Sequence, residues 1–379
     1  MKRTLWCFLF TGLAGVMSVL SDSTNASEPL IFISAFAPGD HGAIHAFRLD
    51  TQTGQLNETH RTTDAEHPFF MALSPDRRFL YSIHTDQFGG EQSDQIAAYR
   101  IESDTGKLNL LNRESARGTA ACYLHVDATG QALFVANYSS GSVASFPIHD
   151  DGSVGKAVSF FEHRDPGVHP SRQDVTHAHC IVAGPNNRFV YSADLGIDQV
   201  LCYRLETDTA QLIPAQQPFV RTPQGAGPRH LTFHPDRQHL FVINETGNTV
   251  TSFDWDANSG MLIEQQTIST VPDEFTGTSH TADLKFTPDG RFLYGTNRGH
   301  DSIAVYRVDD ERRLTLSEIV PSLGQGPQNL AVTQDGRWLL CANMPGNNVL
   351  VFGIDAESGA ITPVGKPVTI PSPSCIMIY

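Results

Sequence analysis

The apolar positions of this chain fall into short runs that return roughly every fifty residues, a period that signals repeated supersecondary units rather than one layered core. The clearest run follows a Pro-Asp-Gly-like turn. It reads SPDRRFLYSIH from Ser74, GPNNRFVYSAD from Gly184, HPDRQHLFVINE from His234, TPDGRFLYGTNR from Thr287 and TQDGRWLLCANM from Thr333, with a degenerate copy, DATGQALFVANY, from Asp127. After each copy comes a run that alternates apolar and polar positions, such as QIAAYRI from Gln95, QVLCYRL from Gln199 and SIAVYRV from Ser302. A period of two, rich in Val, Ile, Tyr and Phe, predicts half-buried strands. A Gly-bearing turn follows, as in Asp104-Thr105-Gly106-Lys107-Leu108, where glycine supplies the positive φ of a tight hairpin.

Each unit therefore predicts four short antiparallel strands, and sheets of that kind arranged radially make a β-propeller. The chain ends complete the ring. LIFISAF from Leu30 and AIHAFRLD from Ala43 look like a second and third strand with no first, and Ser374 to Tyr379 looks like a first strand with nothing after it. Joined in one sheet, they close a seventh blade and remove the edges an open ring would expose. The expected fold is all-β: a seven-bladed β-propeller of four-stranded antiparallel blades, the last closed by the N- and C-terminal strands.

A length of 379 residues would suggest two domains, but blades that pack only on their neighbours make it one, spanning 28–379. Residues 1–27 carry Lys2 and Arg3, an uncharged apolar run from Leu5 to Leu20, and a small polar stretch, the layout of a signal peptide. The apolar run is shorter than the ~20 residues a spanning helix needs, so the expectation is export, periplasmic or secreted, with no membrane anchor left after cleavage. Cys122, Cys180, Cys202, Cys341 and Cys375 all lie in predicted strands without paired spacing and read as small core hydrophobes. No zinc, calcium or Cys-x-x-Cys pattern is present, so no metal and no cofactor is expected. A formal charge of -15 argues against nucleic acid or an anionic membrane as partner.

Against that acidic background, clustered cations become informative, and the repeat supplies a ruler for finding them. The first strand of a blade begins, and the second ends, on the same face of the disc. Six residues before the turn proline stand Phe69, Cys122, His179, Arg229, Ala282 and Gln328; ten after it stand Thr85, Tyr138, Leu195, Glu245, Arg298 and Met344. All should line one mouth of the central channel. His179, Arg229, Glu245 and Arg298 place an imidazole, a carboxylate and two guanidiniums in adjacent blades. Arg229 and Glu245 could equally be a structural ion pair, and His179 a satisfied strand histidine. His177 and Asp283, beside ruler positions, and Gln328, on one, join the candidates as substrate contacts. The recurring Asn137, Asn244, Asn297 and Asn343 read as residues that tie down the strand ends.

GAGPRHLTFHPDRQHLFVINE from Gly225, RQDVTHAHCIVAGPNNRFVYSADLGIDQV from Arg172 and TADLKFTPDGRFLYGTNRGHDSIAVY from Thr281 resemble the propeller-type 6-phosphogluconolactonases and the related carboxymuconate lactonising enzymes, over essentially the whole predicted domain. The resemblance implies a lactonase, a carboxylic ester hydrolase acting on a small anionic lactone, with His179, Arg229, Glu245 and Arg298 as the catalytic set. Gln328 departs from the pattern, since relatives often carry Gly-Pro-Arg where this chain has Gly326-Pro327-Gln328. Opening a lactone with water needs a base, a cationic or hydrogen-bonding site for the oxyanion, and an acid for the leaving alkoxide. Glu245 is the expected base, with Arg229 and Arg298 on anionic groups and His179 as donor to the ring oxygen or as the alternative base. A lactonising cycloisomerase and a non-catalytic propeller that binds a small anion or a protein stand as the other readings.

Overall fold

Both faces of the apolar runs are covered, which is why they lack a polar alternation. Phe189–Asp194 and Trp338–Asn343 are buried at every residue because each lies between two neighbouring sheets. The strands that follow farther out, such as Leu56–Thr62, alternate buried and exposed positions and face solvent at the rim. The computed structural model describes Met1 and residues 28–379, apart from 86–89, 91 and 166. The signal-peptide reading of 1–27 thus falls, Met1 aside, outside the described residues.

Seven four-stranded antiparallel sheets result. Blades 1 to 6 span 68–115, 121–162, 178–221, 228–269, 280–321 and 327–369 in chain order. Blade 7 is assembled from both ends of the chain: Pro373–Ile378 is its innermost strand and pairs with Leu30–Ala35, followed outward by Ala43–Leu49 and Leu56–Thr62. The seam is a continuous ladder, with Ile31 opposite Ile378, Phe32 opposite Met377 and Ile33 opposite Ile376. Ser374 locks the seam to blade 1 by donating from Oγ to the Phe69 carbonyl at 2.7 Å.

Adjacent blades are also tied by a recurring contact. The Tyr81, Tyr191 and Tyr294 hydroxyls donate to the carbonyls of Gly152, Gly260 and Gly359 in the next blade, at 3.1, 2.7 and 2.9 Å. Those glycines have positive φ, and a Cβ on each would stand within 2.6 Å of a buried phenylalanine ring of the preceding blade, so no other residue fits the approach. Each ring so covered contributes about 1.5–3 kcal/mol through burial. The strand-end asparagines do more than hold turns. Asn297 Nδ2, for example, donates to Ser302 Oγ at the start of the next strand and to the Thr270 carbonyl in the loop after the preceding blade.

All five described cysteines are buried and unpaired, with Cys202 pushed up to about 11 and Cys180 to about 12 by burial, which leaves them inert thiols at neutral pH. Among the described residues, no helix is long and apolar enough to cross a membrane.

Candidate active site at the mouth of the propeller

A repeated irregularity aims the site. In the innermost strands, pairing with the second strand skips the residue at the predicted mouth position: Cys122 in blade 2, His179 in blade 3, Arg229 in blade 4 and Gln328 in blade 6. In blades 1 and 5 the skip takes in Phe69 with Phe70 and Ala282 with Asp283. A bulge inserts a residue that pairs with nothing, bends the strand and redirects a side chain. Here it turns one residue per blade toward the channel mouth.

Of these, Phe69, Cys122, His179, Arg229 and Gln328 line a cavity of about 220 Å³. Its lining includes the charged or titratable Arg172, His179, Arg229, Glu245 and Arg298, the apolar Phe69, Cys122 and Met344, and Tyr138 and Gln328. Phe70 and Tyr123, stacked at 4.3 Å, lie in the innermost strands of blades 1 and 2, and Tyr123 also meets the His230 ring edge to face at 5.0 Å.

Glu245 is the centre of the charged group and is only 2% exposed. Its main-chain N–H donates to the Gly227 carbonyl at 2.6 Å, fixing the residue where the second strand of blade 4 ends. Oε2 accepts from Arg229 Nε at 2.9 Å and forms an ion pair with Arg298 Nη2 at 2.7 Å, and Oε1 accepts from Arg172 Nη2. Burial alone would raise its pKa, but Arg298, Arg229, His179 and Arg172 outweigh it and hold the carboxyl well below the usual range. The Glu245 side chain is therefore a carboxylate, and a reluctant proton acceptor. The sequence reading gave it the base role; it is fully buried and carries three guanidiniums.

Arg229 is 2% exposed, and burial together with Arg298 lowers its pKa to about 10, so it stays charged. Its Nη1 donates to His230 Nε2 at 3.0 Å, and His230 Nδ1 in turn donates to Asp283 Oδ1 at 2.8 Å. Burial and Arg229 bring His230 down to about 4, so its ring is neutral and can accept from the arginine. His179 is 7% exposed, and its pKa is likewise lowered well below 6.5 by burial and Arg229. Its Nδ1 lies 3.6 Å from Cys122 Sγ.

Nine of the ten lining residues sit on the sequence ruler. Ala282, Thr85 and Leu195 share the ruler but do not reach this cavity. Of the three expected substrate contacts, only Gln328 lines it, accepting from Arg298 Nη1 at 3.4 Å. His177 stacks on the Tyr138 ring at 4.2 Å with Nδ1 3.0 Å from the Tyr138 carbonyl, so it buttresses the wall from behind. Asp283 is 1% exposed and lies beneath the site. It accepts from His230, Lys285, Asn329 Nδ2 and the Leu330 N–H, and so has no free edge for substrate. The residue the ruler missed is Arg172. It comes from the loop between blades 2 and 3, which has no register to count along, although it stands in the same quoted stretch as His179.

Residues 30–378 match the family described as Lactonase, 7-bladed beta-propeller. The chain is 33% identical over 347 residues to a 6-phosphogluconolactonase of Bacillus subtilis (strain 168), covering 91% of this chain and 97% of that protein. It is 28% identical over 355 residues to a 6-phosphogluconolactonase of Formosa agariphila, covering 92% and 99%. Among solved structures, the periplasmic gluconolactonase of Pseudomonas aeruginosa superposes with a TM-score of 0.87 at 30% identity, covering 93% of this chain and 99% of that one.

Proposed function

We propose, for a chain that belongs to the seven-bladed β-propeller lactonase family, that it hydrolyses a sugar lactone of the 6-phosphogluconolactone type with water activated at the propeller mouth. The observation that carries the reading is the set of three guanidiniums around one ionised, buried carboxylate, with a neutral imidazole on the same wall. Such an array receives an anion and stabilises an oxyanion without having to reorganise when charge develops.

The roles follow from what each group has left to offer. Glu245 holds the arginines in place and, with a strongly depressed pKa, contributes charge rather than proton transfer. Arg229 spends Nε and Nη1 on Glu245, His230 and the Ala282 carbonyl, leaving Nη2 as the donor for the carbonyl oxygen of the lactone. His179 is the base: its Nδ1 side is taken up by Cys122 and by its own main chain, so Nε2 carries the available lone pair. Water attacks the lactone carbon and His179 takes its proton. The tetrahedral oxyanion rests on Arg229, the ring C–O bond breaks, and the proton passes to the departing ring oxygen, giving the hydroxy acid. Export to the periplasm or beyond suits the N-terminal sequence, and the gluconolactonase neighbour is itself periplasmic.

The test is proton release in a lightly buffered assay with 6-phosphogluconolactone and with glucono-lactone, corrected for spontaneous hydrolysis, using wild type, Glu245→Gln and His179→Gln. Acceleration by wild type that is lost in His179→Gln is the expected result. No acceleration on either lactone would overturn the reading, and turnover of an unsaturated dicarboxylate instead would point to cycloisomerase chemistry.

A further inference from the structure

We infer that Arg172 and Arg298 form a clamp for the anionic substituent of the substrate, and that Arg172, supplied by a loop outside the propeller repeat, sets the preference for charged over neutral lactones. This rests on the reading of the cavity as a lactonase site and names a residue that selects its substrate.

The first observation is charge. Three guanidiniums face one carboxylate and a neutral imidazole, so the cavity carries an excess of two positive charges. An ion-pair network built only for stability would balance, since unpaired buried charge is costly. A group such as a phosphate, with near two negative charges, neutralises the excess.

The second observation is exposure. Arg229 is sealed, but the Arg172 and Arg298 side chains are 29% and 27% exposed, and they flank Glu245 from opposite oxygens, Arg172 on Oε1 and Arg298 on Oε2. Glu245 thus acts as a spacer between the two guanidiniums: Arg298 turns Nε and Nη2 to the His280 and Thr281 carbonyls and Nη1 to Gln328, so it brings chiefly its charge, and Arg172 is the open fork. Arg172 uses only Nη2, toward Glu245 and the Tyr138 hydroxyl at 3.3 Å, so Nε and Nη1 remain for a ligand.

The third observation is how Arg172 is held. Its neighbour Gln173 is 1% exposed and fully engaged: Nε2 donates to the Leu195 carbonyl at 2.8 Å and Asp198 Oδ1 at 2.6 Å, and Oε1 accepts from the Val168 and His169 N–H groups at 3.0 and 2.8 Å. Asp198 also accepts from the Gly225 and Gly227 N–H groups at 2.7 and 2.8 Å, and those glycines lead directly into Arg229. One buried carboxylate therefore sets both the loop that delivers Arg172 and the strand that delivers Arg229. A loop held this firmly places a side chain for a purpose, since a solvating arginine needs no such frame.

The experiment compares wild type, Arg172→Gln and Arg172→Lys. The ratio of kcat/KM on 6-phosphogluconolactone to that on glucono-lactone should fall about tenfold or more in Arg172→Gln, chiefly through KM, and recover in part in Arg172→Lys. An unchanged ratio overturns the clamp. Calorimetric titration of inorganic phosphate at constant ionic strength reads the clamp independently of turnover: binding by wild type that weakens about tenfold in Arg172→Gln supports it. Equal binding by both proteins, or none by wild type, overturns it. If wild type hydrolyses neither lactone yet shows the phosphate difference, the lactonase reading fails and the anion clamp stands.

Discussion

Arg229 Nε stands 2.9 Å from Glu245 Oε2, and the pair joins the bulged residue of one strand to the residue just past the end of its neighbour in the same blade. An ion pair of this kind could be purely structural. Two features argue otherwise: the carboxylate is shared with Arg172 and Arg298, and the guanidinium keeps one nitrogen unspent on the cavity wall.

Arg229→Lys should therefore cost far more in turnover than in binding. Lysine keeps the positive charge but cannot bridge Glu245, His230 and an oxyanion with separate nitrogens in one plane. The expected result is a loss of about 100- to 1,000-fold in kcat with KM changed little. Steady-state kinetics on the phosphorylated lactone decides the matter, and a kcat near wild type would remove Arg229 from the oxyanion role.

The pH dependence of turnover tests His179 as base. A neutral imidazole is the active form, so activity is present above the folded pKa of His179 and lost as pH falls through it. Burial and Arg229 lower that pKa well below 6.5. The kcat/KM profile should stay flat from neutrality to below 6.5 before its acid limb begins. Weakening Arg229 by substitution should shift the limb upward, because the second cause of the depression is gone. A limb that does not respond to changes at Arg229 would take the base role away from His179.

Much of this was legible in the sequence, for reasons particular to a repeat. The strands from Gly184, His234 and Thr333 follow one turn pattern, so a count from the second turn residue transfers the position of His179 to Arg229 and Gln328. The seam between Leu30–Ala35 and Pro373–Ile378 was visible because each end lacked what the other supplied. Arg172 escaped since a loop carries no period. Asp283 was misplaced for a subtler reason: the bulge in blade 5 spans two residues, Ala282 and Asp283, and the buried network takes the aspartate below the cavity. The ionisation of Glu245 was also beyond the sequence, because it depends on how many guanidiniums converge on it.

Acid should destabilise the protein from an unusually high pH. His84, His125 and His230 are buried and lowered from 6.5 to about 3, 4 and 4 respectively, each with burial as the largest cause. Unfolding lets them take up protons at 6.5, so their contribution is complete above that value and is lost as pH falls from 6.5 toward the folded pKa. Glu245 and Asp283 have depressed pKa values, so theirs is complete above the ordinary 4.5 and 3.8 and is lost below. Tm should start to fall near pH 6.5 and fall faster below 4.5. Calorimetry across that range is the check, and a Tm that holds constant down to 4.5 would mean the buried histidines are not kept neutral by the fold.

Asp283 never meets the cavity, yet it decides which nitrogen of His230 carries the proton. With Nδ1–H directed at Asp283 Oδ1, Nε2 is free to accept from Arg229 Nη1. Asp283→Asn weakens that preference and removes the charge facing Lys285, whose Nζ lies 2.8 Å from both carboxylate oxygens. When the tautomer flips, two donors face each other at 3.0 Å and Arg229 must move. The variant should lose about tenfold or more in kcat with little change in KM, and ¹⁵N NMR should show His230 exchanging the protonated nitrogen. An unchanged tautomer with reduced stability alone would make Asp283 a structural residue. A shifted tautomer with kcat intact would show that Arg229 does not depend on His230 for its position.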